Sequence, residues 1–289
     1  MHLDLRFFSL PKAGNAADEN EDAFDCYTNS VQDRFRTHRF PSAVRRSTTD
    51  TPVRLAVADG ATESSFSDLW AKLIARAFCR PTGLGPGLPP SDSDDAENLK
   101  QQSVKGFDHA SRLWDLSHRD LRLPWYAEQK KEMGAFAAFI GLRVCPAPEP
   151  QRDGTWDALA AGDACLFHFR SGTLRRAFPI GNHEGFSNTP WLLSSKAPTE
   201  SSLVSASGKW QTGDEFALAT DALACWILHA SSLGEDVAAI LRSLCSQDAF
   251  ATWVNQQRHA EGRLPLLRND DVTLAWCCIN SETDKPPDV

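Results

Sequence analysis

Acidic residues recur at the ends of short apolar segments in widely separated parts of this 289-residue sequence. The six of interest are Glu21, Asp22, Asp59, Asp163, Asp221 and Asp270. Carboxylates at strand ends can converge on one edge of a sheet even when they are distant in the chain. Oxygen ligands accompanied by few His or Cys residues suit hard cations such as Mg²⁺ or Mn²⁺. Two such ions close together can hold a hydroxide between them and polarise a phosphoryl oxygen.

Asp59 is the acidic residue with the most definite surroundings. The apolar run from Arg54 to Ala58 predicts a short buried strand that stops at Asp59-Gly60. A carboxylate at that junction is held by a rigid element, and the glycine lets the backbone approach a bound group. The alternative, an Asp-Gly turn that joins a strand to a helix, stays open for this segment alone.

A second acidic group lies at 19–22, directly before a predicted strand at Ala23 to Tyr27. Its carboxylates repel one another unless water or a cation neutralises them, so a solvated acidic loop is the alternative to a cation site. No single acid identifies a metal site. The order of the acids along the chain and their shared position beside predicted strands are much more specific.

The composition indicates a chain that can bury a full core, with 42% hydrophobic and 24% charged residues. A net charge of −8 and a pI near 5.5 argue against a nucleic-acid backbone as the main partner. The first six residues lack the pattern of a signal peptide, and the longest apolar run, at 135–142, is too short to cross a bilayer. We therefore expect a soluble, cytoplasmic protein that binds neither nucleic acid nor membrane.

Eight cysteines lie mostly inside apolar runs. An even count permits disulfides, but no two cysteines form a Cys-x-x-Cys pair, and the spacing gives no support to a zinc site. We expect reduced thiols in the core.

Apolar periodicity predicts strands and helices that form one domain over residues 1–280. Predicted strands cover 3–10, 23–27, 54–58, 134–145, 156–161, 165–170, 173–178, 215–220 and 272–279. Predicted helices cover 66–78, 96–122, 222–231 and 236–245. Ser65 is expected to cap the first helix, and Trp70, Trp114 and Trp226 are expected in the core. A loop or hairpin is predicted at 32–51, loops at 81–98 and 181–208, the latter anchored by Trp191-Leu192-Leu193, and a disordered tail at 281–289.

In their order along the chain, six segments resemble those of the metal-dependent protein phosphatases of type 2C, the PPM family, in a bacterial-like form. The resemblance covers about residues 3–279. The segments are Asn20 to Ala23, Val57 to Gly60, Gly134 to Leu142, Ala161 to Ala164, Leu218 to Leu223 and Asp270 to Thr273. It implies an α+β fold, a four-layer α-β-β-α sandwich with two central antiparallel sheets flanked by helices.

The resemblance also implies a role for each acidic residue around two Mn²⁺ or Mg²⁺ ions and a looser third. Asp59 would bridge two ions, and the Gly60 carbonyl would face one of them. Glu21 and Asp22 would hold one ion directly or through water. Asp221 and Asp270 would hold the other ion, and Asp163 the third. Asp59, Asp22 and Asp221 would then serve catalysis, as hydroxide held by the ions attacks the phosphoserine or phosphothreonine of a kinase target.

The chain departs from the family pattern at positions outside the acidic set. Residues 61–63 are Ala-Thr-Glu, where eukaryotic members have a His and two glycines. Ala17 stands where many members have an arginine that binds the substrate phosphate. Lys12, or Arg45 and Arg46, are candidates to replace that arginine. Ala164 and Ala222 replace a serine and a glycine of the family segments.

Three hypotheses follow. The first is a metal-dependent phosphatase acting on phosphoserine or phosphothreonine in proteins. The second, motivated by the missing arginine and histidine, is a non-catalytic phosphatase-like module that regulates or binds phosphoproteins. The third is a different two-metal hydrolase such as a nuclease, which the acidic composition and the lack of an aromatic-basic stripe disfavour.

Overall fold

The computed structural model describes residues 1–28, 42–62, 64–80, 96–119, 125–147, 153–187, 190–196, 198, 200–259 and 266–280. The predicted disordered tail at 281–289 and most of the predicted loop at 81–98 lie outside these residues. That residues 1–280 form one domain stays a prediction.

Twelve strands and six α-helices occur within the described residues. The strands are β1 His2–Leu10, β2 Asp22–Tyr27, β3 Ser42–Thr48, β4 Val53–Gly60, β5 Phe136–Cys145, β6 Gly154–Ala161, β7 Cys165–Arg170, β8 Thr173–Phe178, β9 Leu193–Ser194, β10 Val204–Trp210, β11 Glu215–Ala219 and β12 Val272–Asn280. The helices are α1 Ser67–Cys79, α2 Ala96–Ser117, α3 Trp125–Met133, α4 Asp221–Ser232, α5 Val237–Ser243 and α6 Gln247–Arg258. No helix in the described part of the chain combines the length and apolarity needed to cross a membrane.

The strands form two antiparallel sheets. The first sheet has the order β3-β1-β12-β11-β7-β8. The second has the order β10-β6-β5-β4-β2, with β9 paired to β5. Apolar side chains from both sheets form the central core, α4 to α6 cover the first sheet, and α1 and α2 cover the second. The predicted four-layer α-β-β-α sandwich is therefore confirmed.

Central strands were predictable because both of their faces are buried. In β4, one face packs in the core between the sheets and the other packs under α1, so Val53 to Ala58 are all buried. A strand buried on both faces is a continuous apolar run rather than an alternation. β11 has the same character, with all five residues buried.

Edge strands account for two errors of prediction. Residues 42–48 form β3, whose backbone pairs with β1, although a loop or local hairpin was expected there. Residues 204–210 form β10, although 181–208 was expected to be irregular. In β10 only Ala206 and Trp210 are buried, so the apolar signal of this strand is weak.

The sequence analysis also did not predict helices α3 and α6.

Two residues, Ser65 and Trp191, do not have the local roles that the sequence predicted for them. α1 begins after Phe66, which has a left-handed backbone (φ 60°) and makes no side-chain cap, so the predicted Ser65 cap is wrong. The expected anchor Trp191 is 92% exposed, whereas Leu193 of the same triplet is buried. Trp70, Trp114 and Trp226 lie in the core as predicted. All eight cysteines are free thiols, but only five are buried, since Cys225 and Cys278 are half-buried and Cys245 is exposed.

We predict that Gly60→Ala destabilises the protein, because a Cβ at this position would lie 2.8 Å from the backbone carbonyl carbon and oxygen of Ser67. Overpacking of this kind costs about 1–3 kcal/mol of the free energy of unfolding. Urea denaturation measures the loss. Gly181→Ala is the matched control, since a Cβ there meets no atom within 4 Å. Equal losses for the two variants would contradict close packing of Gly60 on Ser67.

Candidate metal centre

Five of the predicted site residues lie at strand or helix ends on one side of the sandwich. Asp22 is the first residue of β2 and is paired directly with Asp59 near the end of β4. Asp163 lies in the turn that carries the chain from β6 in the second sheet to β7 in the first. Asp221 is the first residue of α4, and Asp270 precedes β12. Both sheets therefore contribute carboxylates.

Asp59 is the electrostatic centre of the group. Burial raises the pKa of its carboxyl well above the usual range, and the charges of four other aspartates raise it further. These four are Asp22, Asp221, Asp163 and Asp270. No described residue donates a hydrogen bond to the Asp59 carboxylate. The structure thus brings together five of the six acidic residues that the sequence singled out.

Asp22 is buried and only half satisfied. Its Oδ2 accepts a hydrogen bond from Thr220 Oγ1 at 3.1 Å, whereas its buried Oδ1 has no partner among the described residues. Burial and the charge of Asp271 raise the pKa of the Asp22 carboxyl, and the hydrogen bond from Thr220 opposes that rise. An unpaired, buried carboxylate oxygen is costly unless a donor or a cation reaches it.

Two threonines that the sequence analysis missed lie beside the carboxylates, and one of them, Thr220, links the end of β11 to Asp22 on β2. Thr220 Oγ1 donates to Asp22 and accepts from the Thr273 backbone N–H at 2.9 Å. Thr273 Oγ1 shares a 2.8 Å hydrogen bond with Ser9 Oγ. Both threonines lie inside segments that resemble family motifs, and the available signal was a hydroxyl in an otherwise apolar, buried stretch.

Asp163 depends on the glycine before it. Gly162 has φ +79°, and a Cβ there would lie 2.8 Å from the Ala138 Cβ, so this turn requires glycine. Burial raises the pKa of the Asp163 carboxyl to about 6, and the charge of Asp221 adds to the rise. Asp163 is therefore part of the same field of negative charge as Asp59.

Arg268 is a third residue that the sequence analysis missed. Its guanidinium donates to Asp270 Oδ2 at 3.0 Å and forms a short contact with Asp221 Oδ2. Burial raises the pKa of Asp221, and Arg268 works against that rise. The sequence offered no signal beyond the position of Arg268 two residues before Asp270.

Glu21 is placed differently from the aspartates. Its Oε1 accepts from Ser67 Oγ at 2.6 Å, and its Oε2 accepts from Thr62 Oγ1 at 2.5 Å. Its backbone oxygen accepts from the Gly60 N–H at 3.3 Å. In this structure Glu21 stabilises the loop after β4 through these hydrogen bonds. Its role as a metal ligand, and that of the Gly60 carbonyl, stay predictions.

Arg45 and Arg46 do not stand near the aspartates. In the strand register, the backbone of Arg46 lies opposite Asp4 on β1, and Asp4 lies opposite Cys278 on β12. Cys278 is six residues along β12 from Val272. At the rise of a strand, that distance is about 20 Å from the end of β12 that borders the site. Lys12 does lie near this end, since its backbone N–H donates to Asp271 Oδ1 at 2.8 Å.

The side chains are not arranged as a finished metal site. Within the described residues, no three His, Cys, Asp or Glu side chains form a cluster that would hold an ion as they stand. Arg268 engages Asp221 and Asp270, and hydroxyls engage Glu21. The donor set itself fits a hard divalent cation, because it consists of carboxylates and includes the unpaired Oδ1 of Asp22.

No protein-family model matches the sequence, and no curated protein matches it. Solved structures do match across nearly the whole chain. The serine/threonine phosphatase of S. agalactiae has a TM-score of 0.56 at 10% identity, over 96% of this chain and 100% of that one. The catalytic domain of the serine/threonine phosphatase PstP, solved with two manganese ions, has a TM-score of 0.55 at 14% identity, with 96% and 100% covered.

A third match is PppA, described as a key regulatory component of T6SS in Pseudomonas aeruginosa. Its TM-score is 0.52 at 15% identity, over 95% of this chain and 97% of that one. Identities this low show the fold alone. The chain has the fold of the type 2C phosphatases, as the resemblance implied.

We predict that Asp59→Asn stabilises the metal-free protein at pH 7, because the substitution removes a carboxylate that burial and four like charges oppose. The melting temperature in EDTA should rise by about 2 °C or more. Asp108→Asn, on the exposed face of α2, is the matched control and should leave it unchanged. A lower melting temperature for Asp59→Asn would mean that a partner stabilises the ionised carboxylate.

The same carboxyls predict the pH dependence of stability. A carboxyl whose pKa is higher in the folded state binds protons more tightly there, so stability falls as pH rises from about 4 through the folded-state pKa. For Asp163 that value is about 6, and for Asp25, which burial also affects, about 6 as well. The metal-free protein should therefore unfold at lower urea concentration at pH 7 than at pH 5. Asp59→Asn should flatten this dependence, and an unchanged slope would contradict the raised pKa of Asp59.

Proposed function

We propose that this chain is a Mn²⁺- or Mg²⁺-dependent protein phosphatase that hydrolyses phosphoserine or phosphothreonine in proteins phosphorylated by a kinase. One observation carries the proposal: five aspartates from distant segments interact around Asp59. The fold supports it, because a serine/threonine phosphatase with the same fold was solved with two manganese ions.

In this proposal Asp59 lies between two cation positions. Asp22, with Glu21 directly or through water, would hold one cation, and Asp221 and Asp270 would hold the other. The Gly60 carbonyl would face one of them, and Asp163 would serve a third, weaker position. When bound, divalent ions supply Lewis-acid stabilisation of phosphoryl oxygens and lower the pKa of water.

The chain's own residues would keep the carboxylates ionised and in place. Thr220 donates a hydrogen bond that favours the charged form of Asp22. Asp59 is fixed by the pairing of β4 with both β2 and β5. Groups that are already in position need no rearrangement as the reaction proceeds. In many enzymes this preorganisation supplies most of the rate enhancement.

We predict that Asp59→Asn lowers kcat/KM for a phosphothreonine peptide with Mn²⁺ by about a thousandfold or more, equivalent to ~4 kcal/mol of transition-state stabilisation. Asp221→Asn should have a similar effect through one cation position. Phosphate release measures both variants. Asp108→Asn is the control, since this exposed residue lies on α2 away from the aspartates.

Two outcomes would contradict the proposal. Equal activity of the parent protein and Asp59→Asn would remove Asp59 from the reaction. An inactive parent protein that still binds Mn²⁺ by calorimetry would favour the non-catalytic, phosphoprotein-binding alternative. Cleavage of single-stranded DNA instead of the phosphopeptide would favour a nuclease.

We predict that Asp163→Ala lowers turnover while two cations remain tightly bound, because Asp163 is assigned to the weaker third position. Isothermal titration with Mn²⁺ counts the sites, and a phosphopeptide assay at saturating Mn²⁺ gives the turnover. Loss of folding, detected by circular dichroism, would instead indicate that Asp163 stabilises the turn after Gly162. Asp163→Asn, which keeps the shape and polarity of the side chain, separates these two outcomes.

A further inference from the structure

Arg268 lies where two of the proposed metal ligands meet. Its guanidinium contacts both Asp221 and Asp270, yet 58% of its side chain is exposed, against 14% for Asp221. The arginine is therefore tied to the carboxylates at its tip and not enclosed by the protein. It can leave these partners by rotation of its own side chain, without a change in the backbone.

Arg258, another arginine among the described residues of this region, is held differently. Arg258 donates from Nη2 to the carbonyl oxygens of Pro11 and Asp270, at 3.2 and 2.6 Å, and its Nε is buried without a partner. Arg258 thus braces the backbone that leads into β12. Of the two, only Arg268 bonds to side-chain carboxylates that a cation would compete for.

Arg268 also borders a small cavity of about 80 Å³. Its other described lining residues are Phe186, Ala222, Cys225, Trp226, His229 and Leu266. None of these is acidic, so an anion that approaches from this side meets the guanidinium without a repelling carboxylate in the lining. A planar guanidinium donates two parallel N–H groups to phosphate oxygens, which suits it to bind a phosphate group.

A divalent cation and a guanidinium cannot both neutralise the same two carboxylate oxygens, because they repel each other at that distance. We propose that Arg268 neutralises Asp221 and Asp270 in the metal-free protein, and that a bound cation releases it to contact the phosphate of the substrate. This rests on the proposed function. It also gives the site the arginine that Ala17 does not provide, from a different segment of the chain.

The test uses the full chain with Arg268→Gln, Arg268→Lys and the control Arg175→Gln, which removes an exposed arginine from β8. Calorimetry measures Mn²⁺ affinity, and a second titration measures inorganic phosphate affinity at saturating Mn²⁺. For Arg268→Gln we expect Mn²⁺ to bind tighter, by about tenfold, because its competitor is gone. We expect phosphate to bind weaker and KM for a phosphothreonine peptide to rise, each by about tenfold or more, with a smaller change in kcat.

Opposite effects on metal and phosphate distinguish this role from a structural one. Weaker binding of both by Arg268→Gln would make Arg268 a brace of the site and overturn the proposal, as would unchanged phosphate affinity. Arg268→Lys keeps the charge and should lie between the parent and Arg268→Gln in both titrations. If Arg268→Gln does not fold, weaker Mn²⁺ binding by Arg268→Lys overturns the proposal in the same way.

The inference and the proposed function can fail separately. A parent protein without turnover that loses phosphate affinity in Arg268→Gln would keep the anion site and remove the phosphatase. An active parent protein whose KM is unchanged in Arg268→Gln would keep the phosphatase and remove the role of Arg268. Arg175→Gln should match the parent in every titration, because it changes the net charge equally and lies on an exposed edge strand.

Discussion

Repulsion among clustered carboxylates that have lost part of their hydration is the constraint on which this end of the molecule depends. Asp22 and Asp59 face each other across two antiparallel strands, and burial together with neighbouring charge raises the pKa of each. Each carboxylate loses hydration and gains like-charged neighbours, so the two come together only where the backbone is fixed. The second sheet supplies that rigidity, because β4 is hydrogen-bonded on one side to β2 and on the other to β5.

The protein compensates this charge unevenly. The hydroxyl of Thr220 donates to Asp22, and the guanidinium of Arg268 contacts Asp221 and Asp270. Asp59 receives neither kind of support from the described residues, and the charges of four aspartates oppose its ionisation. The Asp59 carboxylate lies at the centre of the group and has no protein donor, so a bound divalent cation would neutralise it best. A cation that binds only the folded protein stabilises it, and metal binding and stability should therefore be linked.

The sequence predicted the parts of the molecule in which local pattern and tertiary environment agree. β4 is a continuous apolar run because it is buried on both faces, and the acids beside it follow from where such runs stop. The edge strand β3 was missed because its place in the sheet comes from backbone pairing with β1. Ser65 looked like a helix cap, but helix α1 begins after a left-handed Phe66, a local conformation set by tertiary contacts with Trp114 and His118.

The aspartates and the arginine of the candidate site also differ in how far local sequence pattern determines their position. A carboxylate beside a strand end is held in place by the sheet, so the position of the aspartates beside predicted strands, together with the family resemblance, indicated that they would lie close together. A guanidinium sits on a long, flexible side chain, and any loop that borders the cluster can deliver it. Arg268, on the segment before β12, contacts Asp221 and Asp270 in this chain, and neither the fold nor the spacing of the acids could have located it.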